Sequence, residues 1–344
     1  SSYHRSSCLS GKKKSRFILC AQMTMSLVRC SVAFLLIQVS AALRTPLSDD
    51  YAQSSVCPSL FAAVFSARDN IERRGLIRQM WLDASEQYGE PVVGKFALCQ
   101  APEDEDPSLQ KALDKEASSF KDLLFLNCEE GYLNGILTKK VLAAMHAYLM
   151  HYSDYEMFMK IDDDAFISLR RLCDLMTYRK SVGKSNDAVY MGVFAEIAAG
   201  EQMKNGNPVI RDPSSPWYEP ESNYEGERFP VSAKGGPGYM LPRRLVRQIA
   251  VKHIGRDNVL NNEDKAVGVW VDKLLQEGET IEYVNLKGTD GYEEHKAFIP
   301  TTGKWSSYPF IVHHHLPAES IACLHEIEMK QDGSEEIDAC FDDA

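Results

Sequence analysis

Three consecutive carboxylates, Asp162, Asp163 and Asp164, follow directly on the apolar positions Met157, Phe158, Met159 and Ile161. Acids so close repel one another, and a divalent cation with hard oxygen ligands relieves the repulsion. The same triplet suits a solvated turn that caps the next helix, because Asp is favoured there. Four further sets of residues can do chemistry. Arg74 and Arg78 stand four apart and so share one helical face. Two guanidinium forks there can clamp a diphosphate, or form a solvated basic face that pairs with acids such as Glu72. Gly235-Gly-Pro-Gly238 allows positive φ and close backbone approach to a ligand, or is a plain loop. Glu263 and Asp264 open an apolar-periodic segment, where acids already favour the helix dipole. His313, His314 and His315 follow an apolar strand, where histidines are usually satisfied structurally, but three together in a chain with a carboxylate cluster favour at least one metal ligand.

The elements around these residues decide how they are presented. The apolar residues from 157 to 161 crowd rather than alternate, as in a parallel strand covered on both faces. Ligands of open α/β sheets bind outside the carboxyl ends of strands, which places the triplet at a crevice. Upstream, Leu60–Phe65 reads as a buried strand, and Asn70–Leu82 as a helix with Ile71, Leu76, Ile77, Met80 and Trp81 inward. Lys95–Cys99 is a second strand, and Asp106 before Pro107 starts a helix running to about Phe120. Leu123–Leu126, a helix over Tyr132–His151, and a helix over Leu169–Tyr178 after the triplet complete a βαβ series. This alternation predicts an α/β protein with a mostly parallel sheet. The second half is less regular, with strands at 189–194 and 281–286, helices over Pro242–His253 and from Asn261, and a polar, turn-rich stretch at 205–220.

With 44% hydrophobic and 25% charged residues, the 344-residue chain has the composition of a globular protein with a full core. Its net charge is −11, and the first 41 residues carry six Lys or Arg and no acid, so the rest stands at −17. An acidic body argues against a nucleic-acid binder. From Met25, one Arg and an apolar run up to Leu43 form a secretory-type segment, with Val39-Ser40-Ala41 small enough for cleavage. The run is shorter than the ~18–20 residues of a membrane span. Leu27 and Val28 would extend it if it serves as an uncleaved anchor. Of nine cysteines, six lie beyond this segment, which in an oxidising lumen allows up to three disulfides, with Cys323 and Cys340 able to close a loop in the acidic end of the chain.

Five blocks in order, 70–81, Tyr132-Leu-Asn134, Phe158–Phe166, Lys234–Leu241 and Glu263–Gly268, followed by Val312-His-x-x-x-Pro317, resemble the β-1,3-galactosyltransferase family. That family includes β-1,3-N-acetylglucosaminyltransferases and is related to the Fringe enzymes. The likeness runs from about Leu60 to Pro317, and departs at Asn134–Lys139, at Lys265 and at Phe229-Pro230. It implies a GT-A fold with a Rossmann-like nucleotide-sugar half at 59–180 and an acceptor half at 181–318. A basic leader (1–24), a signal peptide or anchor (25–43), a stem (44–58) and an acidic tail (319–344) would flank it.

The resemblance also implies inverting transfer of galactose or N-acetylglucosamine from a UDP-sugar to a glycan of a glycoprotein or glycolipid, in the Golgi lumen. Carried over by position, Asp164 and Asp162 would hold Mn²⁺ or Mg²⁺ with His313 as second protein ligand. Arg74, Arg78, Asp162, Asp163, Gly236, Gly238 and Tyr239 would border the nucleotide-sugar. Asp264 would be the base, supported by Glu263. Inversion in one displacement needs such a base for the acceptor hydroxyl. A catalytically silent, lectin-like domain of the same fold is the alternative. A two-metal phosphoesterase would want more His and Asp ligands than the chain offers.

Overall fold

Leu60–Phe65 is an unbroken apolar hexapeptide, and all six residues are buried as strand β1 at the middle of a seven-stranded sheet. The computed structural model describes residues 59–82, 92–194, 206–286, 312–330 and Cys340, all within the compact unit Ser55–Ala344. After β1 come α1 (Ile71–Ile77), continued by a π-helical turn over Arg78–Leu82, then β2 (Val92–Gln100), α2 (Pro107–Phe120) and β3 (Leu123–Glu129). Next are α3 (Ile136–His151), β4 (Met157–Asp162), β5 (Phe166–Ile167), α4 (Leu169–Ser181) and β6 (Val189–Gly192). Strand β7 (Tyr239–Pro242), α5 (Arg243–Val251), α6 (Glu263–Gln276), β8 (Glu282–Asn285), β9 (Val312–His313) and α7 (Ala318–Lys330) follow.

The sheet order is β3-β2-β1-β4-β7-β6-β8, and β7 alone runs against the other six strands. The structure is thus α/β with a mostly parallel central sheet flanked by helices, as the sequence predicts for a GT-A fold. The chain moves outward from β1 through β2 and β3, then returns to place β4 on the other side of β1. That reversal leaves a crevice at the carboxyl ends of β1 and β4, where such sheets bind ligands. Residues alternate across the sheet. Met157, Met159 and Ile161 pack on one core with α7, while Phe158 packs on the other with α3, α5 and α6.

Several boundaries shift for local reasons. The Asp106 side chain accepts from Ser108 N at 2.9 Å and caps α2, as its place before Pro107 predicts. Helix α3 starts at Ile136 rather than Tyr132, because Asn134 (φ 58°) and Gly135 (φ 75°) form a left-handed turn. The expected acidic tail from residue 319 instead begins as α7, whose Ile321, Leu324 and Ile327 are buried in the core. A Cys323–Cys340 disulfide holds its far end, and Cys99–Cys128 joins β2 to β3. Among the described residues no helix is long and apolar enough to cross a membrane. The expected leader, signal segment and stem lie outside the described residues.

Candidate active site

The acidic triplet ends β4 and faces the turn that ends β1. Backbone bonds fix it on three sides: Asp163 N donates to Phe65 O (3.0 Å), Asp162 N to Gly236 O (3.2 Å), and Leu316 N to Asp164 O (3.0 Å). The three carboxylates then part company. Asp163 is buried and accepts from Asn70 Nδ2 at 3.1 Å; burial pushes its carboxyl up, and bonds from Ser66 and Asn70 oppose that. It ties the β1–α1 turn to β4. Asp162 points to Lys160, whose Nζ lies 2.8 Å from its Oδ1. Asp164 meets the histidines: His314 Nε2 is 3.2 Å from its Oδ1 and His315 Nδ1 is 3.4 Å from its Oδ2. Burial alone would raise the Asp164 carboxyl, but His314, His315 and Arg73 outweigh it and hold the group below the usual range.

Candidate ligand atoms of Asp164, His314 and His315 all lie within 4.8 Å of one another. One carboxylate oxygen with two imidazole nitrogens is a donor set able to hold a first-row divalent ion. Asp162 Oδ2 is 3.9 Å from His314 Nε2, at the edge of this cluster. Of His313 the structure describes the backbone, which pairs with Phe166 in the β5–β9 ladder. Among the described side chains, the histidine in buried contact with Asp164 is His314; the His313 side chain, which spacing to Pro317 singles out, lies outside them.

The glycine run explains how His314 gets there. A Cβ on Gly236 would overlap the His314 imidazole, and a Cβ on Gly235 would overlap the Glu263 carboxylate. Gly238 (φ 98°) has the Lys160 carbonyl 2.8 Å from where its Cβ would stand. The close approach predicted for this loop is therefore made to the protein's own site groups. Tyr239 is likewise fully buried, and its hydroxyl donates to Glu263 Oε1 at 3.2 Å, so its effect on a ligand passes through Glu263.

Glu263 and Asp264 occupy the first turn of α6. Glu263 is buried against Lys160 Nζ at 3.4 Å. Burial pushes its carboxyl up to about 7, opposed by Lys160 and reinforced by the charges of Asp264 and Asp162. Lys160 is fully buried; burial alone would lower it, yet Asp162 and Glu263 together leave it raised. One ammonium group therefore links Asp162 to Glu263. Asp264 is half-buried beside Lys265, which is anchored by Asn207 Oδ1 and Ser232 Oγ, both at 2.9 Å. Lys160 was legible as an anomaly: a lone lysine inside an apolar strand needs a buried partner.

Arg74 and Arg78 depart from expectation, being neither solvated nor turned to the crevice. Arg74 is fully buried: Nε and Nη2 donate to Glu116 (2.9 and 2.8 Å), Nη1 to Ser66 Oγ and Ala67 O (3.0 and 2.6 Å), and Nη2 also to Arg68 O (3.1 Å). These five bonds use the five N–H donors of a guanidinium, so none remains for a phosphate. Arg78 pairs with Glu116 and Asp122, each at 2.6 Å. Arg74 shapes the β1–α1 turn from behind, and Arg78 ties its helix to Glu116 and Asp122.

The galactosyltransferase family model matches residues 72–277, a span that includes the triplet, the glycine loop and the acid pair. The chain belongs to the galactosyltransferase family. It is 28% identical over 218 residues to a probable β-1,3-galactosyltransferase 12 of Arabidopsis thaliana, covering 61% of this chain and 53% of that one. It is 28% identical over 193 residues to the human N-acetyllactosaminide β-1,3-N-acetylglucosaminyltransferase 2, covering 56% and 45%. Against mouse β-1,3-galactosyltransferase 6 the figures are 28% over 232 residues, 66% and 64%. The chain spans about half the length of the first two of these curated relatives.

Proposed function

We propose that this galactosyltransferase-family protein is an inverting glycosyltransferase. It transfers galactose or N-acetylglucosamine from a UDP-sugar to a glycan hydroxyl in β-1,3 linkage. The observation that carries the reading is the Lys160 bridge, which joins Asp162, beside the Asp164–His314 pair, to Glu263, beside Asp264. Cation-binding groups and a candidate base thus flank one crevice.

In this reading the Asp264 carboxylate takes the proton of the acceptor hydroxyl as its oxygen attacks the anomeric carbon. The bond from that carbon to the UDP oxygen breaks, and its electron pair leaves with UDP. Asp264 stands in the first turn of α6. Glu263, paired with Lys160 and Tyr239, holds that turn in place. Asp164 with His314 and His315 would hold Mn²⁺ or Mg²⁺, which when bound neutralises charge on the diphosphate as a Lewis acid. The disulfides Cys99–Cys128 and Cys323–Cys340 support an oxidising compartment, and we assign the enzyme to the Golgi lumen, anchored or released by its N-terminal segment.

UDP release from UDP-galactose and UDP-N-acetylglucosamine, with and without Mn²⁺ and a glycan acceptor, tests the proposal. Asp264→Asn is expected to lower turnover by ~10²–10⁴-fold, the usual worth of a general base. Full activity in Asp264→Asn, or turnover indifferent to Mn²⁺ and to Asp164→Ala, would overturn it.

A further inference from the structure

Lys265 is the third residue of α6, at the positive end of the helix dipole, where a cation is disfavoured. The same turn lacks the usual fixings of a helix start. Asn262 stands at the N-cap, yet its side chain makes no capping bond. A cavity of about 160 Å³, with Tyr132, Trp217 and Glu263 among its walls, opens beside the turn, so packing does not fix it on that side. Close packing begins one turn later, where a Cβ on Gly268 would stand 2.8 Å from Ser232 Cβ and 3.0 Å from Val231 O. The first turn is therefore held by its own side chains. Glu263 secures one flank through Lys160 and Tyr239, and Lys265 secures the other by donating to Asn207 Oδ1 and Ser232 Oγ, both at 2.9 Å.

Both acceptors belong to segments that are themselves fixed. Phe229 N donates to Asn207 O at 2.9 Å, Gly206 N to Phe229 O at 3.0 Å, and Val209 N to Glu227 O at 2.9 Å. A Cβ on Gly206 would overlap the Pro230 carbonyl, so these two segments are pressed together. Ser232 precedes Ala233, whose N–H donates to the Tyr190 hydroxyl at 2.9 Å, and Lys234, whose N–H donates to Val193 O at 2.8 Å. Lys265 thus ties the start of α6 to the 206–230 segments and to the entry of the glycine loop. Two departures from the family pattern, Lys265 and Phe229-Pro230, meet through Asn207.

Asp264 stands between the two anchors. Lys265 Nζ is 3.8 Å from its Oδ2, longer than a hydrogen bond, so the ammonium group attracts that oxygen across a gap without bonding it. We infer that Lys265 is a positioning residue: it clamps the first turn of α6 to Asn207 and Ser232 and thereby sets where the Asp264 carboxylate stands. The inference rests on the proposed role of Asp264 as base. A base works only within hydrogen-bond reach of the hydroxyl it deprotonates, and a misplacement of about 1 Å can cost ~10²-fold in rate.

Crystal structures of Lys265→Met and Lys265→Arg read the position without turnover. The Asp264 carboxylate should move by about 1 Å or more in Lys265→Met, and by less in Lys265→Arg, whose guanidinium keeps the charge and the donors. UDP release is then measured from UDP-galactose and UDP-N-acetylglucosamine, with methyl β-galactoside and methyl N-acetyl-β-glucosaminide as acceptors. Lys265→Met should lower kcat by ~10–10²-fold at unchanged donor KM, and Lys265→Arg should recover most of the loss, a split that loss of stability alone does not produce. The double variant Asn207→Ala, Ser232→Ala keeps the ammonium group and removes both of its anchors; it should follow Lys265→Met, and it replaces that variant if Lys265→Met does not fold. An Asp264 carboxylate that stays in place in these variants, or a kcat unchanged where the carboxylate has moved, overturns the inference. Absence of UDP release from both donors in wild type would instead count against the transferase reading, and the crystal comparison would still decide whether Lys265 holds Asp264.

Discussion

His314 Nε2 lies 3.2 Å from Asp164 Oδ1, a contact that depends on the missing side chain of Gly236. A methyl group there meets the imidazole ring, so Gly236→Ala is expected to swing His314 away from Asp164. The variant should fold with a loss of ~1–3 kcal/mol, typical of overpacking. Its Mn²⁺ affinity, measured by calorimetry in the presence of UDP, should fall by tenfold or more, as in His314→Ala and Asp164→Ala. His315 is 44% exposed, and His315→Ala should cost less. If His313→Ala abolishes Mn²⁺ binding while His314→Ala leaves it intact, spacing to Pro317 is the better guide and this assignment is wrong.

Lys160 makes a second prediction. Removing one member of a buried ion group leaves its partners uncompensated, at a cost of ~3–5 kcal/mol. Lys160→Met should therefore lower the unfolding free energy by up to that amount at neutral pH, because Asp162 loses its partner and Glu263 must take up a proton to stay buried. Adding Glu263→Gln removes one of the two charges and should recover part of the loss. Denaturant unfolding of the two variants checks it; a strictly additive double variant would mean the bridge carries no coupling.

Glu263 gives the fold a pH signature. Its carboxyl is pushed from 4.5 up to about 7, so between those values the folded state holds a proton that the unfolded chain has released. Its contribution is fully present below pH 4.5 and is lost as pH rises toward 7. Wild type should accordingly lose stability relative to Glu263→Gln across that window, by at most ~3 kcal/mol at ~1.4 kcal/mol per pH unit of displacement. Melting temperatures of the pair from pH 4.5 to 7.5 test the sign. A difference that grows the other way would show Lys160 holding Glu263 ionised throughout.

How far the site could be read from sequence depended on whether a residue's role is local. Strand β1 matches its predicted bounds because Leu60–Phe65 is apolar without interruption, and β4 ends at the triplet because charge stops an apolar run. The acid pair was visible because both residues open a helix. His314 was not, since nothing along the chain ranks three adjacent histidines; that takes the Gly236 contact from a distant loop. The helical spacing of Ile321, Leu324 and Ile327 was present but masked by surrounding acids, so α7 read as a tail. The reversed direction of β7 leaves no local trace, because it follows from pairing Lys160 with Tyr239. The cavity at Trp217 is built by three segments more than forty residues apart and has no pattern of its own.

Arg74 shows the same limit and supplies the last prediction. Its spacing to Arg78 suggests a phosphate clamp, but its five donors are spent on Glu116 and on the turn at Ser66–Arg68. Arg74→Ala should therefore act first on the fold. It strands the buried Glu116 with Arg78 alone and takes the guanidinium donor from Arg68 O, for a loss of ~3–5 kcal/mol. Replacing Arg74 by Met and Glu116 by Leu together should restore more stability than either single change retains, because no buried charge is then left without a partner on that side. A direct phosphate clamp predicts the opposite split: near-normal unfolding in Arg74→Ala with a large loss of UDP affinity. Calorimetric UDP binding set beside the unfolding free energy of the same variant separates the two, and unchanged stability would refute the structural role argued for Arg74.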